Sequence, residues 1–240
     1  MRLLACLAAA ALALLMGCAN ALPAADVLLL GEQHDAATHQ QRHRDAVQTL
    51  ARQSRLAALA LEMAEQGGTT AGLPRDSDES AVQAALRWNE QAWPWAAYGP
   101  AVMAAVRAGV PVLGANLPRE RMRESMADTR LDALLPVAAL EAQRKAIRDG
   151  HCGLLPDTQI APMTRIQIAR DRAMAGVLAQ AAVPGKTVVL LAGSGHVDES
   201  LGVPVHLPAG VSVRSLRWPT SEAPQKDYCA EMRRQMAPRP

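Results

Sequence analysis

Asp26-Val-Leu-Leu-Leu-Gly-Glu-Gln-His-Asp35 decides how the rest of the chain is read. Four apolar residues, Val27 to Leu30, stop at Gly31, and Glu32, Gln33, His34 and Asp35 follow. A short unbroken apolar run closed by glycine is the pattern of a strand buried on both faces of a parallel sheet. In an open α/β sheet, the polar residues just past a strand's carboxyl end face the crevice where ligands bind. Glu32 and His34 therefore stand where a site would be. The plainer reading makes Gly31 a turn and Glu32 to Asp35 solvated cap residues.

Three further runs repeat the pattern. Leu56 to Met63 carries Glu62 at its end, Gly109 to Asn116 closes on Asn116, and Lys186 to Ala192 leads through Gly193-Ser194-Gly195 to His196. Helical segments fall between them: Thr38 to Gln53, with Thr38 as cap; Asp78 to Trp88; Trp95 to Ala108, opened by Pro94; residues 119–149, broken near Pro136; and Thr158 to Ala182, the longest. Gly202 to His206 and Val211 to Trp218 read as short edge strands. The expected fold is α/β, with a mainly parallel central sheet, helices on both faces and the site at the carboxyl ends of the strands. Two carboxylates, two imidazoles and an amide would then converge on one crevice. Glu32, His34, Glu62 and His196 could hold a divalent metal ion and an activated water, making a metal-dependent hydrolase. They could equally do acid–base work or clamp a cofactor. The Gly-Ser-Gly turn lets the backbone approach a ligand closely, but it is not a nucleophile elbow.

The chain opens with an address. Arg2 precedes the apolar run Leu3 to Met16, which is short for a membrane span and reads as a secretory signal. Leu15-Met16-Gly17-Cys18 resembles a bacterial lipobox, in which the cysteine takes acyl chains such as palmitate; the alternative is an ordinary signal with an accidental cysteine. Ala19, where an aspartate would mark inner-membrane retention, points to an outer-membrane lipoprotein of a Gram-negative-type bacterium, facing the periplasm or the surface. The expected organisation is a signal over residues 1–17, a lipid-anchored linker over 18–25, and a single domain over 26–240 with a helical subregion near 67–150. Half the residues are hydrophobic, and the net charge of +2 with no basic run gives nucleic acid no support. Cys152 and Cys229 remain once Cys6 and Cys18 are set aside. In an oxidising compartment they suggest a disulfide, with two free thiols or a metal pair as alternatives.

Aromatic residues are scarce and clustered. Of four Trp and two Tyr in the chain, Trp88, Trp93, Trp95 and Tyr98 lie together, and there is no Phe. Such a cluster packs a core or lines a flat apolar pocket, and Tyr98 adds a phenol of the kind that ligates ferric haem. His39 and His43 share a helix face at metal-compatible spacing, within a run of Gln and Arg that also fits a solvated face. Gln167, Arg170, Asp171 and Met174 share another face, either solvated or hydrogen-bonded beneath the site.

Gly31-Glu32-Gln33-His34-Asp35, Leu61-Glu62-Met63, Trp93-Pro94-Trp95 with Tyr98 and Pro100, Gly114-Ala115-Asn116-Leu117-Pro118, and Ala192-Gly193-Ser194-Gly195-His196 with Gly202-Val203-Pro204 together resemble the ChaN-like haem-binding uptake family. The resemblance spans roughly residues 26–218 and extends to a superfamily with Tiki, TraB and erythromycin-esterase proteins. It implies a lipoprotein engaged in haem or iron uptake, with haem iron held by a tyrosine, pairing into a homodimer, and an outer-membrane haem receptor as partner. Carried onto this chain, the implied tyrosine ligand is Tyr98, with His34, His39 or His196 as the rival iron ligand and Trp95 and Asn116 as further contacts; Arg119 and Arg170 are cations available for the propionates by their chemistry, without support from a motif. Tyr228, in the polar tail, is the other tyrosine.

Overall fold

Val27 and Leu29 point to one side of the sheet, Leu28 and Leu30 to the other, and all four are fully buried. This alternation makes strand β1 (Val27–Glu32) the spine of the molecule. Each leucine buried in this way contributes about 1.5–3 kcal/mol of transfer free energy. The computed structural model describes residues 22–219 and 227–236. The signal and the lipid-site Cys18 lie outside the described residues.

Four more strands complete the sheet: β2 (Leu56–Glu65), β3 (Val112–Asn116), β4 (Thr187–Gly193) and β5 (Val213–Arg217). Their order is β3-β2-β4-β1-β5, and every pairing is parallel. The helices are α1 (Ala37–Arg52), α2 (Glu79–Leu86), α3 (Trp95–Arg107), α4 (Arg119–Ala127), α5 (Val137–Gly150), α6 (Asp157–Ala181) and α7 (Tyr228–Met236). Helices α1 and α3 cover the Leu28/Leu30 face through Val47, Leu50, Val102 and Val106. Helix α6 covers the Val27/Leu29 face through Met174, Ala175 and Leu178. The expected α/β architecture is therefore present, with helices on both faces of an all-parallel sheet.

Two local expectations are corrected. Gly202 to His206 is not a strand: Val203–His206 forms a 3-10 turn. Pro204 has no N–H to give to a ladder, and Gly202 N bonds to Asp198 O instead. Helix α1 starts from Ala36, which makes no side-chain cap. Among the described residues no helix is long and apolar enough to cross a membrane.

The sheet register sets the site. Glu32 on β1 lies opposite Gly193 on β4, and Leu61, just before Glu62, lies opposite Leu191. Gly31 has no room for a side chain there: an added Cβ would run into Val197 Cγ2 and meet Ser194 Cα at 3.3 Å. Cys152 and Cys229 are joined in a disulfide that ties α7 to the turn after α5.

Candidate functional site

Glu32 is a hub at the carboxyl edge, 2 % exposed. Its Oε1 accepts the Tyr98 hydroxyl at 2.6 Å and pairs with His34 Nδ1 at 2.7 Å. Gln40 Nε2 reaches Oε2 at 3.4 Å. Tyr98 is delivered by the first turn of α3, whose start is fixed by the Glu90 carboxylate accepting Trp95 N–H at 3.0 Å. Burial, and then the Glu32 carboxyl beside it, push the Tyr98 phenol far above its usual range, so the hydroxyl stays protonated. Burial opposes a charge on His34, but its bond to Glu32 and the nearby Glu62 raise its pKa overall.

A second network is built around Glu62. Its Oε1 takes Arg170 Nη2 at 2.5 Å and lies 3.3 Å from His196 Nε2, while Oε2 accepts Gly193 N–H at 2.7 Å. His196 Nδ1 meets Asp171 Oδ1 at 2.5 Å and Gln167 Nε2 at 3.0 Å. Asn116 Oδ1 accepts Arg170 Nε at 2.9 Å, and its amide donates to Glu62 O. Burial works against charge throughout, yet His196 and Arg170 hold the Glu62 carboxyl well below the carboxylate range. Burial likewise disfavours an imidazolium, but Glu62 and Asp171 lift His196 to about 9. The polar face of α6 is thus the hydrogen-bonded floor of the site, not a solvated surface.

This electrostatic arrangement predicts a stability maximum near neutral pH. His196 keeps its proton in the fold up to about 9, against 6.5 as its ordinary value. Its contribution is complete below about pH 6.5 and is lost as pH rises through 9, amounting to about 3 kcal/mol for the pair. On the acid side, burial holds His43 down at about 4, so stability also falls between pH 6.5 and 4. Urea midpoints measured from pH 4 to 10 should show both limbs, and His196→Gln should flatten the alkaline one. A flat alkaline profile in the parent protein would contradict the buried imidazolium.

Above these networks opens a cavity of about 980 Å3, within the ~300–1,000 Å3 typical of small-molecule sites. Glu32, His34, Glu62, Tyr98 and His196 are all in its wall, and so are Trp93, Arg170 and Tyr228. Trp93 stands edge-on to His34, with ring centroids 4.8 Å apart, and Trp88 Nε1 fixes it by donating to Trp93 O. His34 lies across Gly193, where an added Cβ would come within 2.9 Å of its Nε2. Four of the expected haem residues lie outside this wall. His39 is 3 % exposed and its Nδ1 accepts Gln33 N–H, which pins the turn after β1. Trp95 packs edge-on to Trp88 and donates to Glu79. Asn116 braces Arg170 from below, and Arg119 likewise does not reach the wall.

The metal expectation finds no support in the geometry. Among the described residues no three His, Cys, Asp or Glu side chains are arranged to hold a metal ion. Both Glu62 oxygens and both His196 nitrogens have partners within the protein. Gln40 is the site residue not singled out from sequence, while Asp171, Trp93 and Tyr228 were noted there only as part of a helix face, an aromatic cluster and the polar tail. Asp171 and Gln167 had a signal, their shared helix face with Arg170. Tyr228 had one too, its position beside a cysteine expected to be tied back to the body.

A model of the family described as haem-binding uptake, Tiki superfamily, ChaN matches residues 18–207. Among solved structures, the chain is similar to ChaN of Campylobacter jejuni, determined for its cofacial haem binding. The two are 25 % identical over 83 % of each chain, with a TM-score of 0.66. It is also similar to the type III effector HopBA1, at 18 % identity over 71 % of this chain and 67 % of that one, with a TM-score of 0.36. No curated protein is matched.

Proposed function

The chain belongs to the ChaN family of haem-binding uptake proteins in the Tiki superfamily, and from that premise we propose that it binds haem in the cavity at the carboxyl edge of its sheet. One observation carries the proposal: an open cavity of about 980 Å3 whose wall joins an apolar surface to an exposed phenol. Ala92, Trp93, Pro94 and Ala97 supply the surface a flat macrocycle needs. Bound haem brings a ferric iron, a Lewis acid that accepts phenolate or imidazole.

Tyr228 is the phenol we assign to the iron. It is 48 % exposed in the cavity wall, whereas Tyr98 is 2 % exposed with its hydroxyl given to Glu32. Burial and its hydrogen bond to Asp35 raise the Tyr228 pKa, and Asp35 is the acceptor to which that proton can pass when the phenolate forms. His34 is a second donor in the wall: Glu32 takes its Nδ1, which leaves Nε2 for a ligand. Arg170 is the cation on the same wall for a propionate. We further propose anchoring through Cys18 at the outer membrane and a role in haem uptake as a paired subunit serving a haem receptor, supported by Leu15-Met16-Gly17-Cys18 and by the family.

The test is titration of the purified protein with ferric haem. A saturable shift of the Soret band is expected, with the weak charge-transfer bands of a high-spin phenolate complex. Absence of any saturable shift overturns the proposal.

A further inference from the structure

Tyr228 and Cys229 are neighbours in the first turn of α7. The tyrosine lines the cavity, and the cysteine is bonded to Cys152, 77 residues away in sequence. No residue from Tyr228 to Gln235 is buried, so α7 has no apolar face sunk in the core. Its cap is its own: Asp227 Oδ1 accepts Ala230 N–H at 2.8 Å. A nine-residue helix with no buried residue among those described is marginal by itself in water. A hydrogen bond from Tyr228 to Asp35 also ties α7 to the cavity wall.

The other end of the bond is firmly placed. Cys152 follows α5 in the left-handed region, at φ 58°, and Gly153 continues it at φ 68°. Two backbone bonds close that turn, Cys152 N to Asp149 O and Gly153 N to Arg148 O, both at 2.9 Å. A non-glycine residue keeps such a conformation only where its surroundings fix it. Cys152 is thus set in a hydrogen-bonded turn, and Cys229 is bonded to it.

We propose that the Cys152–Cys229 disulfide is the positioning device for Tyr228, so that ligand capture by the cavity depends on the oxidation state of this pair. The dependence on haem rests on the function proposed above; the positioning itself does not. Reduction requires a dithiol reductant. One of its thiolates attacks a sulfur of the pair, a mixed disulfide forms, and the other cysteine leaves as a thiolate that takes a proton. The second thiol of the reductant then resolves the mixed disulfide. Two electrons and two protons pass to Cys152 and Cys229, and the reductant departs as a disulfide. Both cysteines are only half-buried, which leaves the bond open to such attack. In the reduced protein α7 leaves the body, and the cavity loses its exposed phenol. A chain newly delivered to an oxidising compartment would become competent for haem only after its cysteines had joined.

Two measurements on the purified protein decide this. The first is amide hydrogen exchange, with and without a dithiol reductant and in Cys152→Ser. Residues 228–236 should exchange at least about tenfold faster once the bond is gone, while β1 and β4 keep their protection and report an intact body. The second is ferric haem titration of the same samples. Reduction and Cys152→Ser should each weaken binding by about tenfold or more and remove the phenolate bands, and reoxidation should restore both. Cys152→Ser added to Tyr228→Phe should change little further, because the two act through one contact. Unchanged protection of residues 228–236 after reduction overturns the proposal, as does lost protection with unchanged haem affinity. If the oxidised protein binds no haem, the function proposed above fails, and hydrogen exchange alone still decides whether the disulfide holds α7.

Discussion

Glu62→Ala should destabilise the protein by about 3–5 kcal/mol, the usual cost of removing one partner from a buried ion pair. In a chain of this size that corresponds to a fall in Tm of roughly 10 °C. The effect is large because Glu62 serves three groups at once. Arg170 Nη2, Gly193 N–H and His196 Nε2 all converge on its two oxygens. Without it, the His196 imidazolium keeps Asp171 but loses its other anion, and the last amide of β4 loses its acceptor. Glu62→Gln should cost less, since its carbonyl can still accept from Gly193, although its amide then faces a guanidinium. Urea unfolding followed by circular dichroism measures both variants. A loss below about 1 kcal/mol for Glu62→Ala would mean that water takes over the role of the carboxylate.

The parts of this site that a reader of the sequence can place are those fixed by the strands themselves. Val27 to Leu30 and Val188 to Ala192 are unbroken apolar runs because both faces of each strand are covered, and the polar residue after each run has nowhere to go but the sheet edge. The order of the strands is another matter. β4 lies between β1 and β2, and no local pattern states that; the crossover through α4, α5 and α6 decides it. This insertion is what brings Gly193 beside both Glu32 and Glu62. The aromatic cluster was visible as a cluster but not as two layers. Helix α3 starts at Trp95, so Trp95 turns into the core against Trp88, while Trp93 is left in the preceding turn and reaches the cavity. His39 was visible as a histidine near the strand end, yet its ring turns back to accept Gln33 N–H. Tyr228 was hidden for a different reason. Its surroundings in sequence are polar and rich in proline, and only a covalent bond to a turn 77 residues earlier brings it to the site.

The two tyrosines give the sharpest separation of roles. Tyr228→Phe should leave stability within about 0.5 kcal/mol of the parent, as for other exposed positions. It should nevertheless remove the phenolate bands and weaken haem binding by more than the ~10–100-fold that even an outer-shell partner of a metal commands. Tyr98→Phe should do the reverse. It takes a donor from buried Glu32 and costs about 1–3 kcal/mol of stability, while the phenolate bands persist. Both variants keep the ring, so neither opens a hole in the wall, and any difference between them belongs to the hydroxyl. Visible spectra of the two haem-loaded variants, alongside their urea midpoints, make the comparison. If the bands vanish in Tyr98→Phe and survive in Tyr228→Phe, then Glu32 must give up its hydrogen bond when haem enters. The cavity would in that case bind through its buried phenol, and the exposed one would be a gatepost.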